Sequence, residues 1–242
     1  MAGHSKWANI KHKKARADAK KGKVFSRSAK EIISAAKQGG PDPEANAKLR
    51  LVIQKAKANN VPNDIIERNI KKASNKDQSD FVEKTYDLYG EGGVGIIVEG
   101  MTDNANRMSS EMQTAVKKNC GKIGTQGSVS FNFTRLGTIN VILGDSLDEE
   151  SLMLEAIEAG AEDIKGEEKS FVVLTKPEEV HAVKEKLEKL DLVVEGEGIE
   201  MIPNQLVEVD DETYEANLKL IEHLEALDDV DAVYHTMLMK DA

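Results

Sequence analysis

The sequence predicts an α+β, multidomain protein, with an N-terminal three-helix domain followed by two ferredoxin-like α/β sandwich domains, the last inserted into the middle one. Three observations carry this. Charge is segregated: residues 1–76 hold 19 Lys/Arg and six Asp/Glu, leaving 14 and 37 for residues 77–242, so a balance of +13 is followed by one of −23 within a formal total of −10. Segments from Thr138 to Met201 alternate between strand and helix periodicity in the order βαββαβ. The chain then ends in a helix–strand pair too small to fold alone, and the ββαβ unit at 81–134 lacks just such a pair. With 242 residues, 40% of them hydrophobic, the chain can fill several cores, and with five Phe, four Tyr and one Trp those cores must be mainly aliphatic.

Residues 1–22 form a basic arm. Trp7 and Ile10 are its only large apolar side chains, too few to bury a helix face, and Lys6, Lys11, Lys13, Lys14, Arg16, Lys20 and Lys21 repel one another. Such an arm is expected to order on a polyanion, with Trp7 either stacking on a base or anchoring the arm to the body. Three helices follow. Val24, Phe25, Ala29, Ile32, Ile33 and Ala36 recur at helical spacing before Gly39-Gly40-Pro41. A second helix over 43–58 turns Leu49, Val52, Ile53 and Ala56 inward. The third has Pro62 at its first position, Asp64 and Glu67 near its positive end and Lys71 and Lys72 near its negative end. No clear helix-turn-helix signature accompanies them, so no helix is assigned to a major groove.

The polar stretch 74–80 reads as a linker. Strands at Tyr86–Tyr89 and Ile96–Val98 flank a glycine run in which Gly90, Gly92 and Gly95 satisfy G-x-G-x-x-G. A dinucleotide site needs a helix directly after that run, and a β-branched strand follows instead, so a hairpin loop is the better reading. A helix over 104–119 carries Met108, Met112, Ala115 and Val116 on its core face, with Thr102 or Asp103 as cap and Gly121 at its end. A strand over 128–133 would put Phe131 and Phe133 on one face, as core in preference to base-stacking surface. Then come a strand at 138–143, a helix at 148–159 ended by Gly160, strands at 162–165 and 170–175, a helix opened by Pro177 and a strand at 192–201. A short strand at 205–209, a helix at 212–227 and a strand at 230–238 close the chain. The expected domains are 1–76, a discontinuous middle domain of 77–134 with 205–242, and an inserted domain of 135–204.

Several function classes drop out. No run of about 18 apolar residues occurs, and the basic N-terminus lacks the apolar segment of a signal peptide, so a cytoplasmic protein without membrane association is expected. Cys120 is the single cysteine, which fits a reducing compartment. No nucleophile elbow, phosphate-binding P-loop or H-E-x-x-H helix is present. His4 and His12 are placed to donate to phosphate, and His181, His223 and His235 show no ligand spacing. The acid clusters Asp148-Glu149-Glu150 and Asp210-Asp211-Glu212 precede helices, where they complement the dipole. No catalytic residue, metal, cofactor or small-molecule substrate is expected, and the protein is read as a non-enzyme.

The opening Ala2-Gly3-His4-Ser5-Lys6-Trp7-Ala8-Asn9-Ile10-Lys11-His12-Lys13-Lys14 closely resembles the start of the YebC/PmpR family, which includes a mitochondrial translational activator. Gly90–Gly95, Thr102–Arg107, Gly127-Ser128-Val129, Ala159–Asp163, Met201-Ile202-Pro203 and Val233-Tyr234-His235 look like the same family, in order along nearly the whole chain. The resemblance implies three domains, the first helical and the others α+β, and a gene-expression role without enzymatic activity. Bacterial members are described as DNA-binding transcriptional regulators. Others are described as translation factors acting on the ribosome, including at proline-rich stalls.

The residues themselves point to nucleic acid meeting the basic third of the chain, since an acidic body repels polyanions. The candidate interface is His4, Ser5, Lys6, Trp7, Asn9, Lys11, His12, Lys13 and Lys14, continued by Lys20, Lys21, Lys23, Arg27 and Lys30. Asn104, Asn106 and Arg107 beside the glycine loop are a second contact, or else cap their helix and bond locally. The expected function is a nucleic-acid-binding regulator of gene expression, a DNA-binding transcriptional regulatory protein. The alternative is a translation factor on ribosomal RNA or the ribosome, which a basic arm with one Trp suits at least as well. A third reading is an acidic protein-interaction scaffold.

Overall fold

The computed structural model describes residues 17–73, 80–144, 147–167 and 169–239. The architecture is α+β and multidomain, with seven α-helices and largely antiparallel sheets among those residues.

The first helices are α1 (Ala17–Gly39), α2 (Ala47–Ala58) and α3 (Asn63–Ala73). They close around Ile32, Ala35, Ala36, Leu49, Ala56, Val61 and Ile66. Helix α2 starts at Ala47 and not at the expected Pro43, because Asn46 caps it. The buried Asn46 amide accepts from the Leu49 N–H at 3.0 Å and donates to the carbonyls of Ala35 at 2.9 Å and Gly40 at 2.8 Å. One side chain thus satisfies both the start of α2 and the end of α1. Pro62 lies one residue before α3, its carbonyl accepting from the amides of Ile65 and Ile66.

Strands β1 (Val82–Tyr89) and β2 (Gly95–Thr102) pair antiparallel from Val82↔Thr102 to Tyr89↔Gly95. Helix α4 (Ala105–Lys118) and the two-residue strand β3 (Lys122–Ile123) follow. The C-terminal helix α7 (Asp211–Glu225) and strand β9 (Val230–His235) join them, giving a sheet of order β3-β1-β2-β9. Met108, Met112, Ala115 and Val116 of α4 are buried as their spacing predicts, and on α7 Leu220, Ile221 and Leu224 are buried. The left-handed residue after α4 is Cys120, at φ 56°, and not Gly121. Gly121 is needed for room: a Cβ there would lie 2.8 Å from Leu220 Cδ2.

The expected strand over 128–133 is absent. Residues 126–129 form turns, Ser130–Asn132 make one 3₁₀ turn, and β4 (Phe133–Leu143) begins only at Phe133. Side-chain bonds compete with strand pairing here: the Val129 N–H donates to Asp87 Oδ2 at 2.8 Å, and Asn132 exchanges hydrogen bonds with the Gln205 backbone. Phe133 is core, whereas Phe131 is 78% exposed.

After β4 come α5 (Glu149–Ala159), β5 (Asp163–Glu167), β6 (Ser170–Thr175), α6 (Val180–Leu187) and β7 (Leu192–Pro203). Their sheet has the order β5-β6-β4-β7 with all three pairings antiparallel, the ferredoxin-like arrangement for βαββαβ. Ile139, Val141, Leu152, Ala156, Phe171, Val173, Val183 and Leu187 fill the space between sheet and helices. Residues 177–179 are a turn, so α6 starts three residues later than Pro177 suggests. The last expected strand is broken at Thr236 into β9 and β10 (Met237–Met239), and β10 pairs in parallel with β8 (Val207–Val209). The described residues form two compact units, 17–129 with 212–233 and 130–211 with 234–239. None of the described helices is long and apolar enough to cross a membrane.

Candidate nucleic-acid interface

His4, Ser5, Lys6, Trp7, Asn9, Lys11, His12, Lys13 and Lys14 lie outside the described residues, as do the side chains of Lys20 and Lys21 on α1. Lys23, Arg27 and Lys30 recur at i, i+4 and i+7 and so share one stripe of α1. That stripe is turned onto the loop between α7 and β9. Lys23 Nζ donates to the carbonyls of Glu225, Leu227 (3.3 Å) and Val230 (2.6 Å), clamping the turn from α7 into β9. Lys30 Nζ donates to the carbonyls of Met101 at 2.7 Å and Asp228 at 3.3 Å and lies 3.8 Å from Asp229 Oδ1. Arg27 pairs with Glu31 at 3.0 Å and approaches Asp231 at 3.9 Å. The basic surface expected to run through these three is therefore closed against the protein's own acidic loop.

The second proposed contact resolves into local structure. The Asn104 side chain accepts from the Arg107 N–H at 3.0 Å and caps α4. The Arg107 guanidinium binds Asp229 at 2.7 Å and Asp103 at 2.8 Å, and these hydrogen bonds raise its pKa above the ordinary guanidinium value. Asp229 also accepts from the Thr102 hydroxyl at 2.8 Å, so one buried carboxylate ties β2, α4 and α1 together. Asn106 is exposed.

Titration within this network has two signs. Burial opposes the charge of Glu31, but the Lys55 hydrogen bond at 2.9 Å, with Arg27 behind it, outweighs burial and lowers the pKa below 4.5. Burial raises Asp231 above 3.8 despite the fields of Arg27, Lys30 and Lys23. Glu31 therefore stabilises the folded chain above its unfolded pKa, and that contribution is lost as pH falls through the lowered value. The contribution of Asp231 is present below 3.8 and is lost as pH rises through its raised value. Asp231→Asn is expected to raise Tm at pH 7 and to leave it unchanged near pH 3. A lower Tm at pH 7 contradicts this sign.

Sequence reasoning passed over another set of cations. Arg50 and Lys57 on α2 and Arg68, Lys71 and Lys72 on α3 are exposed, and none has an ion pair among the described residues. The signal was available in the helical wheel. On α2, Lys48, Leu51 and Lys55 line a cleft of about 260 Å³ with Glu83 and Met101, while Arg50 and Lys57 fall on a different side. The glycine run is a hairpin loop: the buried Asn217 accepts from the Glu91 N–H at 2.9 Å and donates to the Glu91 carbonyl at 3.1 Å. Among the described residues no group of three or more His, Cys, Asp or Glu side chains is placed to hold a metal ion.

Comparison with known proteins places the chain. Residues 5–76 match the TACO1/YebC protein N-terminal domain, and residues 81–237 match the TACO1/YebC second and third domain. The chain belongs to the TACO1/YebC family. Relatives in this family include a probable transcriptional regulatory protein of Chlamydia pneumoniae, 55% identical over 238 residues covering 98% of this chain and 100% of that one. A probable transcriptional regulatory protein of Protochlamydia amoebophila is 54% identical over 98% of this chain and 96% of its own length. The TACO1/YebC chain also resembles the crystal structure of a conserved hypothetical protein from Aquifex aeolicus, at 42% identity, a TM-score of 0.76 and 98% coverage of both chains.

Proposed function

We propose that this chain is a non-enzymatic, cytoplasmic, nucleic-acid-binding regulator of gene expression, acting as a DNA-binding transcriptional regulatory protein. The observation that carries the proposal is the balance of +13 confined to residues 1–76 in a chain that is otherwise strongly acidic. The names of the Chlamydia and Protochlamydia relatives supply the regulatory role. In this reading 1–76 is the nucleic-acid-binding domain, 77–134 with 205–242 a discontinuous middle domain and 135–204 an insertion. The place of β9 in the sheet of β1 and β2 supports that return. The basic arm supplies phosphate contacts through Lys6, Lys11, Lys13 and Lys14, with Trp7 available to stack, and the exposed Arg50, Lys57, Lys71 and Lys72 are further candidate phosphate contacts.

The test is salt-dependent binding to duplex DNA, to ribosomal RNA and to intact ribosomes, with the full chain and with residues 1–16 removed. The truncation stops before α1, so the docked stripe at Lys23 stays intact. Lys11→Ala with Lys13→Ala and Lys14→Ala is expected to weaken binding to all sequences alike. The slope of log affinity against log salt should fall by about 0.9 per lost phosphate contact on duplex DNA. A DNA sequence preferred at moderate salt supports the transcriptional reading. Arm-dependent retention on ribosomes with only weak, sequence-blind DNA binding would make the protein a translation factor instead. An unchanged slope in the triple variant overturns the arm's role.

A further inference from the structure

Helix α5 is apolar on two sides. Leu152, Ala156 and Ala159 are buried in the core of the ferredoxin-like domain. On its solvent side Met153, Leu154 and Ile157 are 43%, 63% and 56% exposed. Helices of folded domains carry one apolar stripe and a polar back, and a helix apolar all round is normally buried. Here the second stripe is formed by neighbouring positions, since residues four apart share a face, and an exposed cluster of this kind marks an interaction surface.

The charge around the stripe selects its occupant. From 136 to 164 the chain has eight Asp/Glu and no Lys, Arg or His, and Glu149, Glu150, Glu155 and Glu158 on α5 itself are exposed. Two copies of such a surface repel each other, and a polyanion is repelled as well. We propose that the outer face of α5 docks a basic amphipathic helical segment of a partner protein, with apolar side chains on Met153, Leu154 and Ile157 and Lys/Arg on the flanking glutamates. An eleven-residue helix is about 16 Å long, which matches two to three turns of a partner helix. The site lies on the acidic part of the chain, so the protein would bind nucleic acid through its basic third and a basic protein through its ferredoxin-like domain.

A 14-residue helical peptide of Leu and Lys, with a control carrying Glu at every Lys position, tests this on the full chain by fluorescence anisotropy and amide shift mapping. The Leu/Lys peptide is expected to bind and to shift amides of 149–159, and the Leu/Glu peptide to fail. Leu154→Ser with Ile157→Ser alters only exposed positions, so it should fold normally by circular dichroism and weaken binding by about tenfold or more. Glu150→Lys with Glu158→Lys should weaken it independently of the apolar change. Equal binding of both peptides, or undiminished binding to the serine variant, overturns the proposal. So does a concentration-dependent dimer that the serine variant abolishes, which would make a second copy the occupant. Peptide binding that appears only after removal of residues 1–16 would make the chain's own basic arm the occupant, and likewise overturns it.

Discussion

Replacing Asn217 by Ala is expected to destabilise the unit containing β1, β2 and α7 by about 3 kcal/mol, read as a lower urea midpoint and faster hydrogen exchange at β1 and β2. Asn217 is 1% exposed, and its amide makes three hydrogen bonds: from the Glu91 N–H at 2.9 Å, to the Glu91 carbonyl at 3.1 Å and to the Thr213 carbonyl at 2.9 Å. It therefore holds the β1–β2 hairpin loop onto α7, across 126 residues of sequence. Gly90 belongs to the same contact. Its backbone is extended, so left-handed geometry is not the reason for a glycine. A Cβ there would lie 1.9 Å from Asn217 Oδ1, and that close approach is the reason. Gly90→Ala should thus be costly in the wild-type chain and much less so in the Asn217→Ala background. The two substitutions should depart from additivity by about 1 kcal/mol or more. Strict additivity would mean that the glycine serves something other than the Asn217 contact.

That hairpin shows which parts of the fold were legible beforehand. The glycine run matches a dinucleotide fingerprint letter for letter, and the β-branched residues Ile96, Ile97 and Val98 directly after it excluded the helix such a site requires. Periodicity served equally well where capping and burial agree locally. The helix read over 148–159 is α5, with Asp148 capping it through the Ser151 N–H at 2.8 Å and Gly160 at its end. The Ser151 bonds lower the Asp148 carboxyl below its ordinary value, as a cap should. Errors arose where side chains at a distance competed with local pattern. Phe131 and Phe133 alternate like strand residues, but Asp87 and Gln205 draw the intervening backbone into a 3₁₀ turn. The stripe of Lys23, Arg27 and Lys30 looks like free basic surface because its partners, at 225–231, are about two hundred residues away. No local rule connects the two.

Lys23 provides the sharpest separation between folding and binding. Its ammonium is held by three backbone carbonyls in the turn from α7 into β9, and burial lowers its pKa although Glu225, Asp231 and Asp228 draw it back up. Lys23→Ala should cost about 2 kcal/mol in stability, because the carbonyls of that turn lose a charged donor and α1 loses an anchor. Hydrogen exchange should quicken in α1 and at 225–230 together, while the salt slope of nucleic-acid binding stays where it was. Arg50→Ala with Lys57→Ala should do the reverse, lowering the salt slope and leaving stability within about 0.5 kcal/mol. These three side chains carry the same charge and fall within the same basic third of the chain. What divides them is whether a carbonyl or carboxylate of the protein already occupies the position a phosphate would take. A fall in salt slope for Lys23→Ala at undiminished stability would mean that the stripe leaves its acidic loop when nucleic acid arrives. The docking seen here would then be the unbound state of a surface that both partners compete for.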